Sequence, residues 1–262
     1  MDKQISMTEA VEWISTGSML ALGGVTNYRR PVAFVRALLQ RHRQTTHPSS
    51  LTLLAFTAGF ESDLLVGAGI VSCVRSCYFG LEIYGFAPMF TYLANQKKVQ
   101  ILEETEASIA FGLQAKLAGV GFMPGRGWIG TDLLLLRPDI KTIIDPYTDE
   151  TFAAFPAIHP DVAVIHALQA DPDGNAVIGD NKGVDLELAV AADKVIITTE
   201  EIVNQLHKAD IVAPFVDAVV SAPRGALPTS CHPMYPVDGA FLLRYTELVN
   251  DPESFVKFIS TW

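Results

Sequence analysis

Residues 18–31 read Ser-Met-Leu-Ala-Leu-Gly-Gly-Val-Thr-Asn-Tyr-Arg-Arg-Pro, and this stretch decides the fold class. The apolar run from Met19 to Leu22 is short, which favours a buried strand of a parallel sheet over a surface strand. Pro31 suits the first turn of a helix from Val32 to Gln40, because a proline there loses no hydrogen bond. The stretch therefore predicts a strand, a glycine turn and a helix in direct succession.

The turn in this unit has the composition of a ligand-binding loop. Gly23 and Gly24 have no Cβ, so the backbone can turn sharply and a ligand can approach it closely. In α/β proteins such a turn holds anions at the carboxyl end of the sheet, and Arg29 and Arg30 add two cations beside it. A plain connecting turn with two solvated arginines explains the same spacing equally well. The pattern matches neither the GxGxxG dinucleotide motif nor the GxxxxGK phosphate loop.

The composition limits the size and the partners of the protein. With 262 residues, of which 49% are hydrophobic, the chain can bury a large core. Its formal charge of −10 argues against nucleic acid and against an acidic membrane surface, because both require a basic face. No apolar run approaches the roughly 20 residues of a membrane span, and the N-terminus lacks the apolar core of a signal peptide. We therefore expect a cytoplasmic protein.

Helix and strand signals alternate along the whole chain. The predicted strands are Met19–Leu22, Leu51–Thr57, Ile70–Tyr78, Val99–Glu103, Lys141–Ile144, Val162–Ala167, Lys194–Thr198 and Val216–Ser221. The predicted helices are Val32–Gln40, Glu61–Gly67, Ala87–Asn95, Glu106–Leu117, Leu186–Ala192, Ala240–Val249 and Pro252–Ile259. This alternation predicts one α/β domain over residues 1–262, with a mainly parallel open sheet and helices on both faces. The Gly/Pro-rich stretch 119–147 is weakly periodic, which predicts a loop at 119–130 and a lid or subunit contact overall.

The cysteines, histidines and paired acids give no recognisable catalytic or metal motif. Three cysteines are too few for a disulfide framework, and no second Cys or His pair accompanies Cys73 and Cys77 to complete a zinc site. His166 ends a predicted strand, and we expect it to be a buried, hydrogen-bonded histidine. Glu200 and Glu201 follow another strand and are expected in the first turn of a helix. No metal site is therefore predicted.

Three later segments complete a pattern that the glycine turn begins. They are His166-Ala-Leu-Gln-Ala-Asp-Pro-Asp-Gly-Asn175, Asp193-Lys-Val-Ile-Ile-Thr-Thr-Glu-Glu-Ile-Val203 and Val216-Asp-Ala-Val-Val-Ser-Ala-Pro-Arg-Gly-Ala226. In this order and spacing, the four segments resemble the α subunit of heterodimeric family I coenzyme A transferases, most closely that of the glutaconate CoA-transferase branch. The resemblance covers nearly the whole chain. Arg29-Arg30-Pro31 replaces the usual Gly-x-Pro, and Leu227 stands where the family often has a histidine.

The resemblance implies a reaction, a partner and a place for the active site. The substrate would be a CoA thioester, and the partner a β subunit of the same family, in a heterodimer or heterotetramer with the active site between the two chains. In the transferases, the thioester is attacked by a glutamate of the β subunit, which carries CoA as a glutamyl thioester. No tightly bound cofactor is therefore expected. The implied reaction moves CoA from a dicarboxylic or branched short-chain acyl-CoA, similar to glutaconyl-CoA, to an acid such as acetate.

By motif match, this chain would supply one wall of the acyl pocket. The match places that wall at Gly23, Gly24, Thr26, Asn27 and Arg29. Arg29 or Arg30 would pair with the free carboxylate of a dicarboxylic acyl group, because the planar guanidinium suits a carboxylate. Tyr78 and Phe79 end another predicted strand at the same edge and would line the apolar part of the pocket. Core packing explains these two aromatic residues equally well.

Glu106 separates this function from two alternatives. The helix dipole favours a glutamate at the start of a helix, and that alone accounts for the residue. Its position six residues before Gly112-Leu113-Gln114 resembles that of a glutamate in relatives that hydrolyse ring C–C bonds in steroid catabolism, where it would act as a general base. Another branch of relatives decarboxylates a compound like methylglutaconyl-CoA. A more remote alternative is a non-catalytic ligand-sensing module, since the fold also occurs in transcription regulators.

Overall fold

The computed structural model describes residues 2–262. The strands are β1 Met19–Leu22, β2 Leu51–Ala55, β3 Thr57–Ala58, β4 Val71–Ser76, β5 Tyr78–Phe79, β6 Gln100–Glu103, β7 Phe122–Gly125, β8 Lys141–Ile144, β9 Thr151–Pro156, β10 Val162–Ala170, β11 Ala176–Val177, β12 Lys194–Ile202 and β13 Ala218–Ser221. The helices are α1 Met7–Glu12, α2 Val32–Thr45, α3 Phe60–Gly67, α4 Pro88–Asn95, α5 Glu106–Leu117, α6 Leu133–Leu136, α7 Asp185–Ala191, α8 Gly239–Leu248 and α9 Pro252–Thr261. Short 3₁₀ turns span Glu82–Tyr84 and Ala213–Phe215.

A parallel sheet forms the centre of the molecule and confirms the predicted fold class. Its strands run in the order β13-β12-β10-β1-β2-β4-β6, and β11 pairs antiparallel with β10. From β1 the chain adds β2, β4 and β6 on one side and β10, β12 and β13 on the other, so the strand order reverses between β1 and β10. In open α/β sheets, ligands bind at the carboxyl ends of the strands beside such a reversal. The glycine turn follows β1 and therefore lies at this place.

Helices cover both faces of the sheet, because successive residues of the central strands are buried on opposite sides. Leu20 and Leu22 of β1 pack in a core with α1, α2, α3, α4, α8 and α9, whereas Ala21 packs in a second core with α5 and α7. Strands that are buried on both faces read as continuous apolar runs, which explains why β1 has no alternation in its sequence.

The stretch 119–147 differs from its prediction as a weakly periodic loop. It forms β7, α6 and β8, and β7 and β8 flank β9 in an antiparallel sheet. Trp128 and Phe155 are fully buried in a small core beneath this sheet. Strand β7 contains Pro124 and a glycine, which are tolerated because β7 is an edge strand. We call residues 119–156 the small lobe.

Two strands extend further than predicted and correct the expectation for three residues. Strand β10 continues to Ala170, so His166 lies within the strand and does not end it. Strand β12 continues to Ile202 and pairs with β10 as far as Ala170, so Glu200 and Glu201 lie in a strand and not in a helical first turn. The predicted strand Ile70–Tyr78 is divided into β4 and β5. In the part of the chain that the structure describes, no helix has the length and apolar character needed to cross a membrane.

Candidate active site

The loop after β1, residues 23–30, is compact and strained, and we call it the glycine loop. Gly24, Thr26 and Arg29 have φ angles of 85°, 48° and 53°. Left-handed backbone is strained for residues other than glycine, and such strain is concentrated at functional sites. Val25 and Tyr28 exchange backbone hydrogen bonds of 3.1 and 2.9 Å, which close the tip of the loop. Surrounding contacts must therefore hold this conformation in place.

Arg29 fixes one side of the glycine loop from inside the protein. Its Nη2 lies 2.9 Å from Asp185 Oδ2 and donates to the carbonyl oxygen of Asn181 at 2.9 Å. Its Nη1 donates to the carbonyl oxygen of His166 at 2.7 Å. The Arg29 side chain is 0% exposed and that of Asp185 is 1% exposed. Arg29 therefore ties the loop to β10 and to the start of α7.

Arg30 fixes the other side of the loop in the same way. Its Nη2 lies 2.6 Å from Glu61 Oε1, and both side chains are 0% exposed. Its Nη1 donates to the carbonyl oxygen of Gly24 at 2.8 Å. The sequence predicted that Arg29 or Arg30 faces the carboxylate of a substrate, but in the structure both guanidinium groups are buried and paired with carboxylates of this chain. A substrate carboxylate would have to displace Asp185 or Glu61 to reach them.

Thr26 and Asn27 form the half-buried tip of the glycine loop. The N–H of Thr26 donates to Thr57 Oγ1 at 2.7 Å, and Asn27 Nδ2 donates to the carbonyl oxygen of Leu81 at 3.2 Å. Both contacts join the loop to segments that follow β2 and β5. The structure therefore brings the predicted wall residues together at the carboxyl edge of the sheet.

Unsatisfied polar atoms are concentrated in this region. Within residues 2–262, the buried side-chain atoms without a hydrogen-bond partner are Asn27 Oδ1, Arg29 Nε, Arg30 Nε and Glu61 Oε2. Native proteins pair most of their buried polar atoms, so each unpaired atom requires an explanation. All four belong to the glycine loop or to the carboxylate that pairs with it, which supports a functional role for the loop.

Tyr78 and Phe79 have different surroundings. Tyr78 is 38% exposed, and its hydroxyl accepts a hydrogen bond from the N–H of Glu82 at 3.1 Å. The ring of Phe79 stacks on Phe90 with a centroid distance of 3.9 Å and packs against the core. The surface of the sheet edge therefore includes Tyr78, whereas Phe79 contributes mainly to the core.

Glu106 is exposed at the first position of α5, as predicted. Thr105 and Ser108 form a capping box at this helix start, and Trp128 Nε1 of the small lobe donates to Thr105 Oγ1 at 2.9 Å. Glu106 also lies near the end of β4. Burial, and next to it the negative charge of Glu106, raise the pKa of the Cys77 thiol to about 11. The small lobe therefore supports the segment that presents Glu106 beside β4.

Sequence reasoning missed Asp185, together with an open crevice beside the glycine loop. The crevice is lined by Tyr28, Leu168, Gly179, Asp180, Asn181, His232 and Pro233. It lies on the β10 side of the loop, where the strand order reverses. The order of the strands would have located it, but that order depends on long-range pairing that the sequence does not reveal.

One buried cluster has the side chains of a metal site. The ligand atoms of His166, Glu200 and Cys231 lie within 4.8 Å of one another. His166 bonds to Thr198 Oγ1 and Glu200 Oε1, each at 2.8 Å, and Tyr235 also donates to Glu200. Burial raises the pKa of the Cys231 thiol to about 12, which disfavours the thiolate that binds metals. These contacts form a hydrogen-bond network, and His166 is the buried, bonded histidine that was expected.

The family model for coenzyme A transferase matches residues 4–222 of this chain. The chain belongs to the coenzyme A transferase family. This assignment confirms the resemblance that the four sequence segments carry, and it places the protein in a family of enzymes.

Members of this coenzyme A transferase family with different activities are about equally similar to the chain. The A-type subunit of 3-oxoadipate CoA-transferase from Pseudomonas knackmussii is 32% identical over 276 residues, which cover 100% of this chain and 94% of that protein. The cholesterol ring-cleaving hydrolase IpdA subunit of Rhodococcus jostii is 30% identical over 277 residues, which cover 100% and 92%.

Two solved structures of this family share the whole fold. Glutaconate coenzyme A-transferase from Acidaminococcus fermentans has a TM-score of 0.91 and 30% identity, over 99% of this chain and 88% of that chain. A variant of the decarboxylase AibA/AibB has a TM-score of 0.89 and 30% identity, over 99% and 100%. The parallel-sheet architecture predicted from the sequence is therefore confirmed.

Proposed function

We propose that this chain is the α subunit of a heteromeric CoA-transferase. With a β subunit of the same family, it moves CoA from a dicarboxylic or branched short-chain acyl-CoA to a free acid. The observation that carries this proposal is the similarity over the full chain to 3-oxoadipate and glutaconate CoA-transferases. CoA enters as part of the substrate thioester, and the reaction needs no tightly bound cofactor.

In this proposal the chain forms one wall of an active site at the subunit interface. The glycine loop gives a close backbone approach at Gly23 and Gly24, Thr26 and Asn27 face the acyl group, and exposed Tyr78 covers its apolar part. The attacking glutamate belongs to the β subunit, where it carries CoA as a glutamyl thioester. The two arginines act through the loop: their buried ion pairs fix the backbone that contacts the substrate.

The direct test supplies both substrates to the assembled enzyme. This chain is co-expressed with its β subunit, the complex is purified, and glutaconyl-CoA is added with acetate. The proposal predicts that acetyl-CoA appears together with free glutaconate, as measured by mass spectrometry. Consumption of the thioester with no acetyl-CoA, whether acetate is present or absent, would overturn the transferase assignment.

A second candidate function is decarboxylation or C–C bond hydrolysis on a CoA thioester. It is favoured by the similarity to AibA/AibB and to IpdA, and by an exposed carboxylate, Glu106, beside the site. In this alternative Glu106 is the general base. Glu106→Gln would then abolish turnover of the true substrate, whereas a transferase that uses the glutamate of its β subunit would stay largely active.

We further propose that the small lobe contacts another subunit. Its segment 119–147 carries exposed apolar side chains, among them Leu135 at 78% and Tyr147 at 94% exposure. Large exposed apolar patches mark protein interaction sites. Leu135→Ser with Tyr147→Ser is expected to weaken assembly with the β subunit, which analytical ultracentrifugation measures. The pair Ile83→Ser with Phe86→Ser, which removes exposed apolar side chains outside the lobe, serves as the comparison.

A further inference from the structure

Asp185 is the residue through which the rest of the fold determines the shape of the glycine loop. Its carboxylate accepts the N–H of Gly24 at 3.0 and 3.1 Å and pairs with Arg29 Nη2 at 2.9 Å. It therefore contacts both ends of the loop at once. It also requires Gly23, because a Cβ at that position would lie 2.9 Å from Asp185 Oδ1.

The hydrogen bonds of the loop leave one backbone donor available. The N–H groups of the other seven residues from Gly23 to Arg30 donate to Val164, Asp185, Tyr28, Thr57, Val25, Ser230 and Thr229. Asn27 is the exception, since its N–H has no acceptor among the described residues. A preorganised backbone N–H is the kind of group that stabilises negative charge on a reacting carbonyl oxygen.

Without Asp185, the available donor would lose its fixed position. The N–H of Gly24 would lose its acceptor and Arg29 its counter-ion, both inside the protein. The left-handed φ angles of Thr26 and Arg29 are held against their intrinsic cost, so the segment between Gly24 and Arg29 would relax. Asn27 lies in the middle of that segment.

We infer that Asp185 is a positioning residue that aims the N–H of Asn27 at the thioester carbonyl of the substrate. This inference rests on the proposed function and deepens it, because it names the group with which this chain stabilises the charged intermediate. Asp185 itself touches no substrate. Its effect passes through Gly24 and Arg29.

Asp185→Asn tests the inference, because asparagine preserves the shape but replaces one acceptor oxygen with a donor. A displaced oxyanion donor acts in the transition state, so kcat is expected to fall by roughly 10²-fold with little change in KM. Hydrogen exchange of the Gly24 amide, followed by mass spectrometry of the loop peptide, is expected to accelerate. Asp171→Asn is the matched control: Asp171 is equally buried and accepts the N–H groups of Gly174 and Asn175, but away from the loop.

A second variant covers the case in which Asp185→Asn fails to fold. Gly23→Ala keeps every charge and pushes a methyl group against the Asp185 carboxylate, so it is expected to lower kcat in the same way. Gly121→Ala is its control, because a Cβ at Gly121 meets nothing within 4 Å. An unchanged kcat in folded Asp185→Asn or Gly23→Ala enzyme, or an equal loss in Asp171→Asn, would overturn the inference. A wild-type complex without CoA transfer would instead refute the proposed function.

Discussion

At the residue scale, the arginines of the glycine loop act as internal cross-links. Arg30 and Glu61 are a fully buried pair. Removal of one partner from such a pair leaves an uncompensated charge and costs about 3–5 kcal/mol, whereas an apolar replacement of both partners is far less destabilising. We therefore expect Arg30→Met to lower the free energy of unfolding by about 3–5 kcal/mol. The double variant Arg30→Met with Glu61→Leu should recover part of that loss.

Urea unfolding of the wild type, both single variants and the double variant measures this coupling. If the losses of the two single variants simply add in the double variant, the two side chains do not form a coupled buried pair. That result would contradict the structural role given to Arg30.

Cys77 reports on the position of Glu106 independently of any activity. Burial and the charge of Glu106 together raise the pKa of the Cys77 thiol to about 11. Glu106→Gln removes the charge, so the pKa should fall and the reactive thiolate should form at lower pH. Alkylation by iodoacetamide at pH 9 should therefore be about threefold faster in this variant, as a pKa lower by about one half predicts.

The pH profile of alkylation, with the modified residue located by mass spectrometry, provides the measurement. Cys77→Ser supplies the background rate, and buried Cys231 should stay unmodified in the folded protein. Identical profiles for the wild type and Glu106→Gln would show that Glu106 does not lie beside β4.

At the scale of elements, the start of α5 depends on Thr105. Its side chain accepts the N–H of Ser108 at 3.2 Å and also the indole N–H of the buried Trp128. Thr105→Ala should therefore cost about 1 kcal/mol for the lost cap. A further cost of about 1–3 kcal/mol should follow from the indole N–H that is left without an acceptor. Thr105→Ser keeps the hydroxyl and should stay close to the wild type.

Urea unfolding compares the two variants of Thr105 directly. Equal losses for Thr105→Ala and Thr105→Ser would mean that the methyl group, and not the hydroxyl, stabilises the helix start. The link between the small lobe and the segment of Glu106 would then be wrong.

The sequence was sufficient for elements with local signals and insufficient where distant contacts decide. Helix α5 was predicted with its observed bounds, Glu106–Leu117, because its start and its apolar pattern are local. Glu200 looked like a helical first turn because acids favour that position, yet pairing with β10 keeps it in a strand. The loop at 119–130 was wrong because Pro124 and several glycines conceal an edge strand.

The candidate site shows the same division. The glycine loop was recognised from consecutive residues. The burial of its arginines was not, because Asp185 and Glu61 lie 156 and 31 positions away from them. Charge alone favours exposure, and only the folded chain shows that each guanidinium group has its counter-ion inside the protein.

At the scale of the whole molecule, the chain forms half of the proposed enzyme. The glycine loop, Tyr78 and Glu106 lie along one carboxyl edge of the sheet, which would face the glutamate of the β subunit. The central claim is therefore that the covalent CoA intermediate forms on the partner and not on this chain.

Intact-mass spectrometry of the assembled complex, mixed with glutaconyl-CoA and no acceptor acid, tests this claim most directly. We predict that CoA becomes covalently attached only to the β subunit and that acetate then releases it as acetyl-CoA. CoA attached to this chain, or a thioester that is consumed without any adduct and without acetyl-CoA on addition of acetate, would contradict the account.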